Sequence, residues 1–226
     1  MVNQNFKVTT DIKDFLKKSR QHKKPYFYEL KGKTFYITPN IMSPKFSYAP
    51  QFFMDYWNIQ ENDTVLDVGT GSGVLAIFAS DIAKKVIATD INPYCLESVK
   101  KSIEINNADV ELRIGNMFDI VKEDELFSKI FFNAPYFSRK PKDNLERAVF
   151  DKDYKAMEAF LKDAKHHLTR NGQVLVGFSE LGDVKRIEKM MEFYMYEITR
   201  KDVETYGHTR ILYTLDRWIP CGCPPI

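Results

Sequence analysis

A short apolar segment followed by three glycines at alternate positions constrains the fold of this 226-residue chain more than any other feature. Residues 64–68 predict a buried strand. The glycines after it permit a tight turn and close approach to a ligand. Their G-x-G-x-G spacing differs from the G-x-G-x-x-G of dinucleotide-binding loops, and no Gly-Lys-Ser/Thr of a Walker loop follows. A turn without a ligand is the alternative. The residues expected to contact a ligand are Asp67, Gly69, Thr70, Gly71 and Gly73.

Strand and helix patterns alternate through the rest of the chain. Further strands are predicted at 85–89, 110–114, 129–132, 174–178, 196–199 and 211–215. Helices are predicted at 73–81, from Asn92-Pro93 onward, at 153–168 with Asn171-Gly172 as its end, and at 183–193. This order predicts an α/β fold, a Rossmann-like doubly wound and mostly parallel seven-stranded sheet with helices on both faces. Ligands bind such sheets at the carboxyl ends of the strands.

The first 45 residues have a different pattern and are treated as a separate lead-in, with 46–226 as the main domain. Residues 10–24 predict a short basic helix with a narrow apolar stripe, ended by Pro25. Two aromatic runs around Lys31-Gly32-Lys33 then predict a β-hairpin.

Composition sets the broad class of the protein. The chain is 44% hydrophobic and 28% charged, as in ordinary globular domains. Three cysteines argue against a disulfide scaffold, and Cys221 and Cys223 lack the second pair that a metal site requires, so no metal is expected. The charged N-terminus and the absence of a long apolar run predict a cytoplasmic protein without signal peptide or membrane contact. The oligomeric state cannot be inferred from the sequence.

Polar residues also follow the next two predicted strands. Asp90, beside Ile91, ends one strand, where a carboxylate can accept hydrogen bonds from a ribose diol. Asn116 and Met117 follow the next strand, and they can provide an amide and an apolar wall to an adenine. The alternatives are a capping or surface acid at residue 90 and an ordinary loop at 115–118.

Together, the glycine loop and these two strand ends resemble the class I S-adenosylmethionine-dependent methyltransferases over roughly residues 60–215. The resemblance implies S-adenosyl-L-methionine as cofactor, S-adenosyl-L-homocysteine as product and an antiparallel last strand. It implies that the loop Gly69–Gly73 packs on the methionine part and that Asp90 holds the ribose. It further implies that Asn116 and Met117 border the adenine and that Asn133 contacts the cofactor. Asn116 replaces the acid common at that point.

The segment Asn133-Ala134-Pro135-Tyr136 follows the fourth predicted core strand. It resembles the Asn-Pro-Pro-Tyr motif of amino-methyltransferases that act on planar nitrogens, with Ala134 in place of the first Pro. The lone pair of such a nitrogen is delocalised, so the nitrogen is a poor nucleophile. The Asn133 side-chain oxygen and the Ala134 carbonyl can accept its N–H bonds and orient the lone pair. Tyr136 can stack on the planar group. A simple turn is the alternative.

The lead-in is similar to that of glutamine methyltransferases of the HemK/PrmC type, which have an aromatic hairpin followed by an apolar-x-Pro-basic segment. The similarity implies that this segment and the loop after Asn133 border the methyl acceptor. Two differences from that type argue against a release-factor substrate. Residues 47–50, which follow the Pro-basic pair, differ from the family's sequence there, and the family's long N-terminal helical domain is missing. The expected acceptor contacts are Pro44, Lys45, Phe46, Tyr48 and Phe137.

Charge is distributed unevenly along the chain. Residues 1–45 hold ten Lys and Arg against three Asp and Glu, a net charge of +7, whereas the remainder carries a net charge of −5. Residues 138–152 add further Lys and Arg. Basic charge beside aromatic residues suits nucleic acid or an acidic substrate. A solvated basic helix is an equal alternative.

Three functional hypotheses follow. The first is an N-methyltransferase whose acceptor is a protein glutamine or a small amide or amine, with an RNA or DNA base ranked second. The second is a non-catalytic member of the fold that binds RNA or a partner protein. The third is a nucleotide-dependent oxidoreductase, which the glycine spacing disfavours.

Overall fold

The structure, a computed structural model, describes residues 4–205 and 207–217, with side chains from residue 12 onward. Cys221 and Cys223 lie outside the described residues. The helices are α1 Gln4–Gln21, α2 Ala49–Tyr56, α3 Val74–Ala79, α4 Cys95–Asn106, α5 Lys155–Ala164 and α6 Val184–Phe193. The strands are β1 Tyr26–Leu30, β2 Lys33–Ile37, β3 Thr64–Val68, β4 Lys85–Asp90, β5 Glu111–Ile114, β6 Phe127–Asn133, β7 Leu168–Ser179, β8 Tyr196–Thr205 and β9 His208–Arg217.

Seven strands form one sheet in the order β5-β4-β3-β6-β7-β9-β8. The strands β3 to β7 pair in parallel, and β9 runs antiparallel to both of its neighbours. The predicted α/β fold with a seven-stranded, mostly parallel sheet and an antiparallel last strand is therefore confirmed. The strands β3 and β6 are adjacent although β4 and β5 lie between them in sequence. The strand order therefore reverses its direction between β3 and β6. That topological switch point is where such sheets bind ligands.

Helices cover both faces of the sheet. Side chains alternate along a strand, so Leu66 packs in the cluster with α5 and α6, whereas its neighbour Val65 packs with α2 and α3. In α5, Phe160 is fully buried on the first face, and in α2, Phe53 is fully buried on the second. With both faces covered, the ends of the strands are left to form a site.

The predicted hairpin β1–β2 is confirmed and packs on α4. The backbone N–H of Tyr36 donates to Ser102 Oγ at 2.9 Å, and that of Thr34 donates to Asn106 Oδ1 at 3.0 Å. Phe35 is buried in a cluster with Val99. The hairpin thus shares a core with the sheet domain, and the boundary at residue 45 stays a prediction.

Helix α1 is held against the loop that follows β6. Its Arg20 guanidinium donates to Asp143 at 2.5 Å and to Glu146 at 3.2 Å. Its Leu16 is buried in a cluster with Leu145, and the predicted apolar stripe of the helix forms this contact. We call this junction of α1 with residues 143–150 the Arg20 clasp.

Two helix starts differ from the expectation. Helix α1 begins at Gln4 rather than at residue 10, and it ends at Gln21, before Pro25. Helix α4 begins at Cys95 because Asn92 folds into a turn, in which its side-chain oxygen accepts from the backbone N–H of Tyr94 at 3.1 Å. Asn92 therefore caps a turn that precedes the helix.

The predicted role of Asn171-Gly172 as a helix end is wrong. Helix α5 ends at Ala164, and both residues lie inside β7. A Cβ atom at Gly172 would lie 2.8 Å from the carbonyl oxygen of Phe127, where the pairing of β6 and β7 shifts its register. Glycine is needed there because a neighbouring strand approaches closely.

Candidate active site

The predicted site residues come together along one edge of the sheet. Strands β5, β4, β3 and β6 are consecutive neighbours, and their carboxyl ends lead to the polar residues identified in the sequence. They line a cleft of about 1220 Å³. The predicted residues in its lining are Pro44, Lys45, Phe46, Tyr48, Asp67, Gly69, Thr70, Gly71, Asp90, Ile91, Asn116, Met117, Asn133, Ala134, Pro135 and Tyr136.

Two predicted residues do not line this cleft. A Cβ atom at Gly73 would lie 3.0 Å from a methyl group of Val99, so this glycine lets the start of α3 pack on α4. The ring of Phe137 is half-buried in the cluster of the Arg20 clasp, and the residue forms an isolated bridge with Phe150. Both residues therefore support neighbouring segments and lie outside the lining.

The glycine loop owes its spacing to its backbone conformation. Gly69 and Gly71 have φ angles of 70° and 59°, in the left-handed region that side chains disfavour. The backbone N–H groups of Gly69 and Thr70 both donate to the Thr89 carbonyl, at 2.8 and 2.9 Å. An added Cβ at Gly71 would meet nothing within 4 Å, so this glycine faces open space. The loop is thus a fixed cradle with room for a ligand.

Asp67 anchors the loop from within the core. Its carboxylate accepts from the Thr70 hydroxyl at 2.7 Å, and the side chain is almost fully buried. Burial raises the pKa of Asp67 to about 7, although the bond from Thr70 opposes this rise. A cation placed beside this carboxylate, such as a ligand ammonium, would stabilise its charged form.

Asp90 joins two loops. One carboxylate oxygen accepts from the backbone N–H of Gly71 at 2.7 Å, and the other accepts from that of Asn92 at 2.8 Å. Burial raises the pKa of Asp90, while these two bonds lower it. The Cys95 thiol also donates to this carboxylate. A carboxylate has about four lone-pair positions, so one remains for a further hydrogen bond. Asp90 can therefore organise the loops and still bind a ribose hydroxyl.

Asn116 and Met117 form the far end of the cleft. The Asn116 amide donates to the Asp119 carboxylate at 2.9 Å, which leaves its carbonyl oxygen available as an acceptor. Met117 has a φ of 42°, an unusual value for a residue other than glycine. Ile91 is 44% exposed at the same end. An apolar wall beside an amide suits a planar heterocycle.

Asn133 ends β6 with its side chain exposed to the cleft. It is paired with Gly177 of β7, and the following backbone N–H, that of Ala134, donates to the Gly177 carbonyl at 3.0 Å. Ala134 itself is buried, and Pro135 is buried beside it. The neighbouring strand therefore fixes the polar end of β6 at the cleft.

Tyr136 is held by groups that the sequence did not indicate. Its carbonyl accepts from the Tyr154 hydroxyl at 3.1 Å, and that hydroxyl accepts from the backbone N–H of Asp183 at 2.8 Å. A Cβ atom at Gly182 would lie 2.4 Å from the same carbonyl. Tyr154 has a φ of 56°, a strained backbone conformation that these surrounding contacts hold in place. Burial raises the pKa of Tyr136, so its ring stays neutral.

Gly177 was also missed, because its requirement is set by residues distant in sequence. A Cβ atom there would lie 2.4 Å from the Phe53 ring and 3.0 Å from the side-chain oxygen of Asn133. Only a glycine leaves room for both the α2 aromatic ring and the Asn133 amide to approach β7 at this position. No local pattern around residue 177 indicates this packing.

We predict that Gly177→Ala lowers the free energy of unfolding by about 1–3 kcal/mol, because the new methyl group overpacks a filled core. Denaturant unfolding measures the loss. Phe53→Leu in the same chain removes the nearest ring carbon and should recover part of that loss. If the effects of the two single substitutions simply add in the double variant, the steric explanation is wrong.

Within residues 4–205 and 207–217, every helix is too short or too polar to cross a bilayer. Over the same residues, no three His, Cys, Asp or Glu side chains are grouped so that they could hold a metal ion.

Comparison with known proteins gives a family match over most of the chain. The family described as "Methyltransferase small domain" matches residues 34–202. A putative protein N5-glutamine methyltransferase of Methanocaldococcus jannaschii is 29% identical over 138 residues, which cover 58% of this chain and 69% of the relative.

Two further comparisons cover less of the matched protein. The ribosomal protein L11 methyltransferase of Clostridium perfringens is 43% identical over 65 residues, so the match spans 28% of this chain and only 21% of that relative. A 16S rRNA N2 methyltransferase of T. thermophilus, solved with AdoMet and guanosine, has a TM-score of 0.67 at 16% identity and covers 86% of this chain and 50% of its own. This last likeness concerns the fold alone.

Proposed function

The chain belongs to the methyltransferase small domain family of S-adenosylmethionine-dependent enzymes, and from this premise we propose that it transfers a methyl group to a planar amide or amine nitrogen. The observation that carries the proposal is the position of Asn133. It stands at the carboxyl end of β6, beside the glycine loop, in a cleft that also holds Asp90. Bound S-adenosylmethionine supplies an electrophilic methyl group.

The described residues fit this cofactor. The glycine loop gives an open cradle, and the buried Asp67 carboxylate suits the ammonium of the methionine part. Asp90 has a lone pair left for a ribose hydroxyl, and Asn116 and Met117 provide an acceptor and a wall for the adenine. These assignments are proposals.

At the acceptor end, the chain's own groups orient the nitrogen. The Asn133 side-chain oxygen and the Ala134 carbonyl accept its N–H bonds, and these bonds strengthen as positive charge develops on the nitrogen. Tyr136, held in place through Tyr154, stacks on the planar group. No strong general base is required, because the N–H proton becomes acidic once the methyl group is transferred.

Two acceptor classes share this chemistry. The N5-glutamine methyltransferase among the relatives supports a protein amide. The exocyclic amine of a nucleobase has the same planar geometry, and the guanosine-bound rRNA enzyme shares the fold. A nicotinamide-dependent oxidoreductase is disfavoured by the family match.

The test is incubation of the protein with methyl-labelled S-adenosylmethionine and a cell lysate, followed by separate digestion with protease and nuclease. We expect label on nitrogen, identified by mass spectrometry as a methylated glutamine or a methylated nucleobase. Label on carbon or oxygen would contradict the proposal. Binding of S-adenosylhomocysteine without any transfer would instead favour a non-catalytic member of the fold.

A further inference from the structure

The lining of the cleft is rich in basic side chains. Six exposed cationic side chains line it, and they come from α1, from the segment before α2, from the loop between β6 and α5 and from the first residue of α5. They are Lys18, Lys45, Lys140, Arg147, Lys152 and Lys155. The net charge of the whole chain is only +2, so this concentration belongs to one region of the surface.

These six cations form no ion pair with any acid of the described residues. Three of the nearby acids are already engaged. Asp143 and Glu146 bind Arg20, and Asp151 is buried, where it accepts from the first backbone N–H groups of α5. Asp14 in the lining and Asp153 next to Lys152 are exposed acids, so the six cations outnumber them. The cations are therefore available to an external anion.

Aromatic rings accompany this charge. Phe46, Tyr48 and Tyr136 also line the cleft, and each of these residues is half-buried. Lys45 lies 6.0 Å from the centre of the Phe46 ring. Cationic grooves with aromatic platforms bind single-stranded nucleic acids, because the charges follow the phosphates and the rings stack on the bases.

The cleft has room for more than the cofactor. Its volume of about 1220 Å³ exceeds the range of roughly 300–1,000 Å³ that is usual for a single small ligand, so a methyl acceptor can bind beside S-adenosylmethionine. A nucleic-acid strand matches two features of the cleft. Its bases carry a planar nitrogen that can reach Asn133, and its phosphates are closely spaced anions that can contact the six cations, which we call the rim cations. A glutamine side chain brings no negative charge of its own.

We propose that the methyl acceptor is a base within a single-stranded nucleic acid whose phosphates contact the six rim cations. This inference rests on the proposed function and names the class of its substrate. A base must leave its stack to reach Asn133 at the end of β6, and an unpaired strand is favoured because extruding the base then costs least.

The test is fluorescence anisotropy with a labelled 12-nucleotide RNA, the matching DNA, the duplex and a polyglutamate of similar charge. We expect either single strand to bind more tightly than the duplex and the polyglutamate. The logarithm of the association constant should fall with the logarithm of the salt concentration by about 0.7 for each phosphate contacted. The tighter of the two single strands identifies the natural class.

Paired substitutions make the test specific. Arg147→Ala with Lys152→Ala should weaken binding roughly 20-fold at 0.1 M salt and reduce the salt slope by about 1.4, since two phosphate contacts are lost. The matched control is Lys100→Ala with Lys189→Ala. These two exposed lysines of α4 and α6 do not line the cleft, and their loss should leave both quantities unchanged.

Three results would overturn the inference. These are tighter binding of polyglutamate, equal binding of the duplex, and equal effects of the rim and control pairs. Titration with S-adenosylhomocysteine separates this inference from the proposed function. If cofactor binding persists without binding of the strand, only the inference fails, whereas loss of cofactor binding counts against the function itself.

Discussion

Asn133→Ala is expected to lower the rate of methyl transfer by about 10²–10³-fold, the usual effect of removing one preorganised hydrogen-bonding group from a reacting centre. The side chain ends β6 and faces the cleft, and Ala134 beside it is fixed by its bond to Gly177. Losing the amide should therefore leave the backbone in place. Steady-state kinetics with labelled cofactor measures the loss.

The dissociation constant for S-adenosylhomocysteine should change by no more than about threefold in this variant, because the interaction is made mainly with the acceptor nitrogen. Asn171→Ala is the matched control, since Asn171 is exposed on β7 outside the cleft. It should leave the transfer rate intact. Undiminished turnover in Asn133→Ala would refute the role of Asn133.

Asp90→Ala is expected to weaken cofactor binding roughly 100-fold or more. Each hydrogen bond to a charged group contributes about 1.5–3 kcal/mol, and every 1.4 kcal/mol changes the affinity tenfold. The substitution also removes the acceptor for the backbone N–H groups of Gly71 and Asn92. The loop that cradles the ligand should become less ordered. Calorimetric titration with S-adenosylhomocysteine measures the change.

Asp90→Asn separates the hydrogen bonds made to the ligand from those that keep the glycine loop ordered. It keeps one acceptor oxygen and the side-chain shape, so we expect a smaller loss of affinity than in Asp90→Ala. Asp81→Ala, on the surface after α3, is the control for loss of a carboxylate. A dissociation constant that stays unchanged in Asp90→Ala would exclude the ribose role, provided that thermal melting shows the variant to be folded.

The sheet and the glycine loop could be predicted because their requirements are local. Apolar strands of the right length and positive φ angles at Gly69 and Gly71 leave a direct signature in the sequence. Asp90 and Asn133 could be found for a similar reason. Each ends a strand that the hydrophobic pattern already defines, so its place at the sheet edge follows from the fold class.

Other features depend on contacts between distant residues and leave no local pattern. Gly177 is required by the Phe53 ring of α2, which packs directly on it, and Gly182 by the Tyr136 carbonyl. Phe137 follows the acceptor motif and was expected at the acceptor, yet its ring packs in the Arg20 clasp. The position of α1 could not be predicted from the sequence either.

The Arg20 clasp has a consequence for the order in which the protein folds during synthesis. The partners of Arg20 lie 123 and 126 residues later in the chain. Because a ribosome makes the N-terminal end first, α1 must wait for most of the chain before it can dock. Closing such a long loop carries a large entropic cost, so this contact forms late. The side of the cleft that α1 forms, with Lys18, is thus completed only after strands β3 to β6 have been made. A nascent chain therefore forms its cofactor-binding loops before all six cations are in place.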